Sequence, residues 1–169
     1  EVILSLQDEN FSPTIFRFAT LYGLSPRMRF DLAINAMTAS AVKYGKVIVH
    51  GGGQYRPFLH VAGAADACIA WLKSPIDNVG GVVFNAGSNK QNYKILQVGN
   101  VIKRHVAGCV LEIKESDQDM RDYNVSFQRI MKVLNFKSPK NVRDGVIEIK
   151  KFLEEKKIDP SHNYYHNFD

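Results

Sequence analysis

Val47-Ile48-Val49-His50-Gly51-Gly52-Gly53-Gln54-Tyr55-Arg56-Pro57-Phe58-Leu59-His60-Val61 is the stretch from which the rest of the chain is read. Val47 to Val49 are apolar and β-branched, which suits a short buried strand. Three glycines follow, and they permit backbone angles and close approaches that a side chain forbids. Arg56 comes next, ahead of an apolar run that reads as a second short strand and then a helix start. An arginine keeps its charge and presents a planar fork of donors suited to phosphate. Taken alone, these residues fit a hairpin-like loop with a surface arginine equally well.

The flanking residues narrow the choice. Arg17-Phe18-Ala19-Thr20-Leu21-Tyr22-Gly23 and Ser25-Pro26-Arg27-Met28-Arg29 lie upstream. Together with Gly-Gly-x-Gln-Tyr-Arg-Pro-Phe-x-His-Val, they resemble the extended short-chain dehydrogenase/reductase family. Within it they are most similar to the sugar-nucleotide epimerases and dehydratases. The resemblance runs over nearly the whole chain but corresponds to the second half of such an enzyme. It implies an α/β fold, the C-terminal part of an extended Rossmann-like epimerase/dehydratase that includes the substrate-binding subdomain. Residues 1–169 are then one substrate-binding portion, with an N-terminal cofactor-binding half expected upstream. Glu1 to Leu6 read as the tail of a helix already running, which suits that expectation.

Composition sets outer bounds. The chain has 169 residues, 45% hydrophobic and 23% charged, enough for one domain with a core. A net charge of +5, from 22 basic and 17 acidic residues, tolerates anionic ligands. The basic residues are scattered, so no nucleic-acid surface is expected. Lys150-Lys151 and Lys156-Lys157 sit beside Glu148, Glu154 and Glu155, the pattern of a solvated helix face. Cys68 and Cys109 lie in apolar runs, which predicts buried free thiols rather than a disulfide or a metal site. No run approaches the roughly 20 apolar residues of a membrane span, and no signal peptide is visible. A cytoplasmic protein is expected.

Strand-like and helix-like segments alternate, which predicts the α/β class. A helix is expected over 1–9, then a buried strand over Thr14–Ala19. Phe30, Ile34, Met37, Ala41 and Tyr44 recur at helical spacing and predict a helix from about Arg29 to Tyr44. Asp31, Asn35 and Thr38 make a polar stripe beside that apolar face, suited to a ligand cleft or to ordinary amphipathicity. Ala65, Cys68, Ile69 and Leu72 mark a further helix, and Val82–Asn85 a strand. Tyr93–Val106 reads as helix and Val110–Ile113 as strand. Ser126 is a candidate N-cap for a helix carrying Phe127, Ile130, Met131 and Leu134. Asn141 is a candidate cap for a last helix carrying Val142, Val146, Ile149 and Leu153. The tail over 159–169 reads as loose, with Tyr164, Tyr165 and Phe168 available to a partner.

No catalytic residue is assigned. The chain has no glycine-rich phosphate loop between a strand and a helix, and Gly51–Gly53 precede a strand instead. The Tyr-x-x-x-Lys pair of the family is also missing, since no tyrosine here has a lysine four residues on. The resemblance places that pair upstream, so this chain is expected to be inactive alone. It implies NAD or NADP as cofactor, held mainly by the other half, with Tyr22 and Gly23 nearby. It implies a nucleotide-diphosphate sugar as substrate. Arg56 and Arg121, the latter within Asp119-Met120-Arg121-Asp122-Tyr123, match arginines that contact phosphates. Asn35 and Asn85 match asparagines near the nucleotide. Val47 to Val49 match the segment beside the base, and Thr20 matches a position near the sugar. Arg27 or Arg29 is expected to reach the sugar or its acid group.

Leu24 and Ala62-Gly63 depart from the family pattern, and Gly63 leaves the helix start there without a side-chain acceptor. A non-catalytic nucleotide-binding or scaffolding relative is the alternative function. The first strand is expected to pair with the missing half or, failing that, to drive self-association.

Overall fold

Strands and helices alternate along residues 2–115 and 121–167, which the computed structural model describes. Glu1, Asp119, Met120 and Phe168, on which some expectations fall, lie outside the described residues. β1 (Ile15–Phe18) and β5 (Val83–Ala86) pair in parallel, with Ile15 level with Val83. β2 (Thr20–Tyr22) follows β1 after a break at Ala19 and lies parallel to β4 (Tyr55–His60). Its register sets Thr20 opposite Phe58 and Tyr22 opposite His60. β4 pairs antiparallel with β6 (Asn92–Lys94), Arg56 opposite Tyr93. β3 (Lys46–His50) is parallel to β7 (Val110–Lys114). Parallel pairs cannot be joined by tight hairpins, and helices fill their crossovers. These include α2 (Ala33–Tyr44), α3 (Val61–Leu72) with the short α4 (Ile76–Val79) after it, and α5 (Ile95–His105). Gly51–Gly53 therefore do not make a hairpin: they carry the chain from one sheet to another.

Two cores result. In the first, Val47 and Val49 of β3 are fully buried with Ile34 and Met37 of α2, Val98 and Ile102 of α5, and Val146 and Ile149 of α7 (Val142–Lys156). In the second, Phe84 of β5 and Leu59 of β4 meet Ala67 of α3 and Ile130 of α6 (Gln128–Val133). α7 forms as expected, because Asn141 and Asp144 cap it reciprocally. Cys109 is buried, Cys68 is partly buried, and both are free thiols.

Several elements differ from expectation, each for a local reason. The first helix, α1, covers only Val2–Ser5, since Asp8 Oδ1 accepts from the Asn10 and Phe11 N–H groups and turns the chain. α2 begins at Ala33, because the Arg29 carbonyl is taken by the Asn35 side chain. Phe30 still reaches the core, but Tyr44 is 62% exposed. α3 is apolar nearly all round, so periodicity cannot choose its face. Small Gly63, Ala64 and Ala67 go inward, while Ala65, Ile69 and Leu72 face out. Asn92–Lys94 is strand β6 rather than the first turn of a helix. Ser126 caps nothing; its carbonyl accepts from Asn85.

The described part of the tail is docked rather than loose. Arg27 donates to the Tyr164 and His166 carbonyls at 2.8 and 3.0 Å. The Phe30 N–H donates to the Tyr165 carbonyl, and the two rings meet edge-on at 5.5 Å. Lys43 pairs with Asp159 at 2.6 Å. The tail thus straps the loop over 27–31, whose last residue, Asp31, lines the hollow described next.

Candidate functional site

A hollow of about 740 Å³ opens between α2, β3, β4 and the segment that begins at Arg121. That volume lies within the range of small-molecule sites. Ala33, Ala36, Met37 and Ser40, at helical spacing, form the α2 wall. Ile48 and His50, alternate residues of β3, form a second wall, and Arg56 and Phe58 of β4 a third. Arg121 and Tyr123 close a fourth side, and Thr20 and Asp31 also line the hollow, Asp31 just before the start of α2.

The glycine turn delivers Arg56. Gly51 and Gly52 adopt φ of +69° and +98°, and a Cβ on Gly52 would lie 2.9 Å from Val49 Cγ1. Gln54 locks the turn, accepting from the Gly52 N–H at 2.7 Å and donating to the His50 carbonyl at 3.0 Å. Arg56 emerges only 7% exposed, donating to the Tyr55 carbonyl at 2.8 Å. Its guanidinium lies over the Tyr123 ring, 5.2 Å from the centroid. Such stacking keeps an arginine flat and oriented.

Arg121 arrives by side-chain stitching rather than by a regular sheet. Asp122 Oδ1 accepts from the Tyr55 N–H, and the Tyr123 N–H donates to the Tyr55 carbonyl. Asn92 clasps Val125 in both directions, and Asn89 Oδ1 accepts from the Phe127 N–H. These bonds sew the segment onto β4 and β6 and bring both arginines to one hollow.

The other candidate residues divide. Thr20 lines the hollow with Arg56 and Arg121. The side chains of Val47 and Val49 do not line it: both are fully buried in the core, and Ile48 faces the hollow instead. Asn35 is buried as a clamp, accepting from the Gly23 N–H and donating to the Arg29 carbonyl, each at 3.1 Å. Asn85 donates to Ser126 and is not part of the lining. Arg27 holds the tail, and Arg29 forks onto Asp31. That fork holds the Asp31 carboxyl below the usual carboxylate range.

Tyr22 is a core residue. Its hydroxyl donates to Gln91 Oε1 at 2.7 Å, and burial pushes its pKa well above the ordinary tyrosine range. Gly23 takes φ of +110° with the His60 ring packed against it. His60 supplies the cap that Gly63 lacks: its Nδ1 accepts from the Ala62 N–H at 3.1 Å. That assigns the proton to Nε2, which meets Glu148 at 2.8 Å. Burial lowers the His60 pKa, against the pull of Glu148.

Sequence reasoning had not placed Gln54 or Tyr123 in the hollow, whereas Asp31 lay on the polar stripe suited to a cleft and Ile48 within the segment matched beside the base. Ile48 follows from strand alternation once Val47 and Val49 are taken as inward. Asp31 carried a hint in its Arg-x-Asp spacing. Gln54 and Tyr123 carried none, because their roles depend on partners distant in sequence.

This hollow belongs to a fold seen in known proteins. Residues 1–87 match the NAD dependent epimerase/dehydratase family, just over half of the chain, and the chain belongs to that family. Among solved structures, UDP-glucuronic acid 4-epimerase from Bacillus cereus, in complex with UDP-glucuronic acid and NAD, superposes with a TM-score of 0.73. It is 19% identical over 87% of this chain and 46% of its own. UDP-N-acetylglucosamine 4-epimerase from Bacillus cereus gives a TM-score of 0.66 at 25% identity, over 85% of this chain and 46% of its own. RMD from Pseudomonas aeruginosa, complexed with NADPH, gives 0.74 at 18% identity, over 92% and 53%. The chain therefore spans about half the length of the solved structures it matches. The α/β Rossmann-like epimerase/dehydratase fold expected from the sequence is the one found.

Proposed function

We propose that this chain is the sugar-nucleotide-binding portion of an NAD(P)-dependent nucleotide-sugar epimerase or dehydratase. The observation that carries the reading is the meeting of Arg56 and Arg121 in one hollow of about 740 Å³ with an apolar wall. Two guanidinium groups suit a diphosphate, because each can donate two parallel hydrogen bonds to phosphate oxygens. The wall of Ala33, Ala36, Met37 and Ile48 suits the base and ribose. Thr20 stands where a sugar would follow.

The cofactor of the family is NAD or NADP, which carries hydride between sugar and nicotinamide. The described residues do not form a dinucleotide cradle by themselves. The triple-glycine turn feeds strand β4 rather than a helix N-terminus. The Tyr22 hydroxyl is engaged by Gln91, and Gly23 is covered by His60. In this reading another polypeptide segment holds the cofactor, and the chain's own work is to bind and orient the substrate. Orientation alone lowers a barrier by several kcal/mol when the reacting atoms are set in line. The chain is accordingly inactive by itself.

The test is calorimetric titration of the chain with the diphosphates of uridine, thymidine, cytidine, guanosine and adenosine. At least one should bind. Arg56→Ala and Arg121→Ala should each weaken it about tenfold or more, since a charge-assisted hydrogen bond contributes about 1.5–3 kcal/mol. Because Arg121 is exposed, its variant tests the site without disturbing the core. If no diphosphate binds, or if both variants bind as the parent does, the reading is wrong.

A further inference from the structure

We propose that Asp31 sets the sugar specificity of this hollow, selecting a nucleotide sugar that carries hydroxyls or an amine and rejecting one that carries a carboxylate. The inference rests on the sugar-nucleotide reading of the hollow and adds the class of sugar.

Asp31 lines the same hollow as Thr20, Arg56 and Arg121. Strand register orders these groups. Thr20 lies opposite Phe58, and Arg56 precedes Phe58 by two residues on β4. Two residues of strand span about 6–7 Å. A ligand with its phosphates on Arg56 has room to set its next group beside Thr20, in the hollow that Asp31 also lines.

Asp31 is fixed there. Arg29 donates from Nε and Nη2 to the two carboxylate oxygens, and the backbone of Asn167 adds a hydrogen bond. The loop itself is strapped by Arg27 on the Tyr164 and His166 carbonyls and by the Phe30 N–H on Tyr165. A carboxylate has about four acceptor sites, and the arginine fork uses one on each oxygen. The Asp31 side chain remains 25% exposed, so acceptor capacity is left for a sugar hydroxyl or ammonium.

The charge pattern then runs from two guanidinium groups at the phosphates to a carboxylate at the sugar. A uronic acid would bring a second carboxylate against Asp31, and like charges set side by side are strongly unfavourable. Arg29 offsets this little, because its Nε and Nη2 already hold Asp31 and its charge is balanced there, leaving only the Nη1 side to a second carboxylate. Arg27 does not offset it, because it is committed to the tail. On this inference neither Arg27 nor Arg29 is the group that reads the sugar. The solved relative that holds UDP-glucuronic acid shares the fold at 19% identity, and on this inference the present chain differs from it in sugar class.

The experiment uses the 169-residue chain in calorimetry. The five nucleoside diphosphates are titrated first; the glucose and glucuronic acid conjugates of the base that binds tightest follow. The glucose conjugate should bind at least tenfold tighter than the glucuronic acid conjugate. Asp31→Asn should bring the two within about threefold, weakening the first and strengthening the second. An equal or tighter glucuronic acid conjugate in the parent chain overturns the proposal without reference to any variant. So does a folded Asp31→Asn protein with an unchanged ratio. If a bare diphosphate binds while the sugars are not discriminated, only the role of Asp31 fails. If no diphosphate binds, the reading of the hollow fails and this inference with it.

Discussion

At His60 one imidazole closes three contacts at once. Nδ1 caps α3, Nε2 meets Glu148, and the ring stands edge-on to Tyr22 at 5.3 Å. Lys140, Asp144 and Glu148 are the charged groups that act on it. Adding a proton at Nδ1 would force a hydrogen against the Ala62 N–H, and burial already holds the pKa below the ordinary value of about 6.5. The unfolded chain therefore binds the proton more readily than the folded one. Stability is full above a pH of about 6.5 and falls as pH drops below it. The urea midpoint should fall between neutral and mildly acidic pH, and His60→Gln should flatten that fall. A wild-type midpoint that stays level over this range would sink the argument. Gly23 tests the same contact from the other side. A Cβ there collides with the His60 ring and must also take φ of +110°. Gly45, at φ of +65° with nothing within 4 Å, isolates the backbone effect. Gly45→Ala should cost about 1 kcal/mol, and Gly23→Ala about 3 kcal/mol or more, in matched urea melts. Equal costs would show that His60 yields without penalty.

Elements differ in how far their sequence announces them. β3 is legible because three β-branched residues run together, yet which of them meets a ligand depends on the face, and alternation points to Ile48. α7 is legible because its apolar stripe is clean and Asn141 stands at its start; Asn141→Ala should cost about 1 kcal/mol in thermal unfolding. α3 exists where expected, but its inward face is not readable, since alanine, isoleucine and leucine occur on every side. Arg56 and Arg121 stand out as candidate phosphate ligands only through a family resemblance. Their meeting depends on Asn89, Asn92 and Asp122 reaching backbone groups far along the chain, which no local pattern encodes. The tail is the least legible element, because Arg27 grips it through carbonyl oxygens and carbonyls carry no sequence signal. Arg27→Ala removes both of those bonds. They are exposed and together worth about 1–3 kcal/mol locally. Amide exchange should quicken at Phe30 and Tyr165 while Val146 and Ile149 in α7 stay protected. Unchanged exchange at Phe30 would mean that the tail does not hold the loop.

Seen whole, the molecule leaves several apolar side chains and a strand edge uncovered. Among the described residues β1 pairs with β5 alone, so its second edge presents unpaired N–H and C=O groups. Phe18 on that strand is 41% exposed. Val2 and Leu6 near α1 are 76% and 61% exposed, and Leu72 at the end of α3 is 71% exposed. Water is a poor neighbour for such side chains, and an open edge is a template for another strand. In the reading proposed above, a segment carrying the other half of the fold covers the β1 edge. Where that segment is not supplied, a second copy of the chain should occupy the edge. Sedimentation velocity of the isolated chain should show species larger than the monomer, growing with concentration. Phe18→Lys and Leu72→Lys should each reduce them, because a buried ammonium opposes docking. Neither should lower the thermal midpoint much, since both side chains are already exposed. If the chain sediments as a monomer at every concentration, the open edge is not a docking surface and the second half of the argument falls.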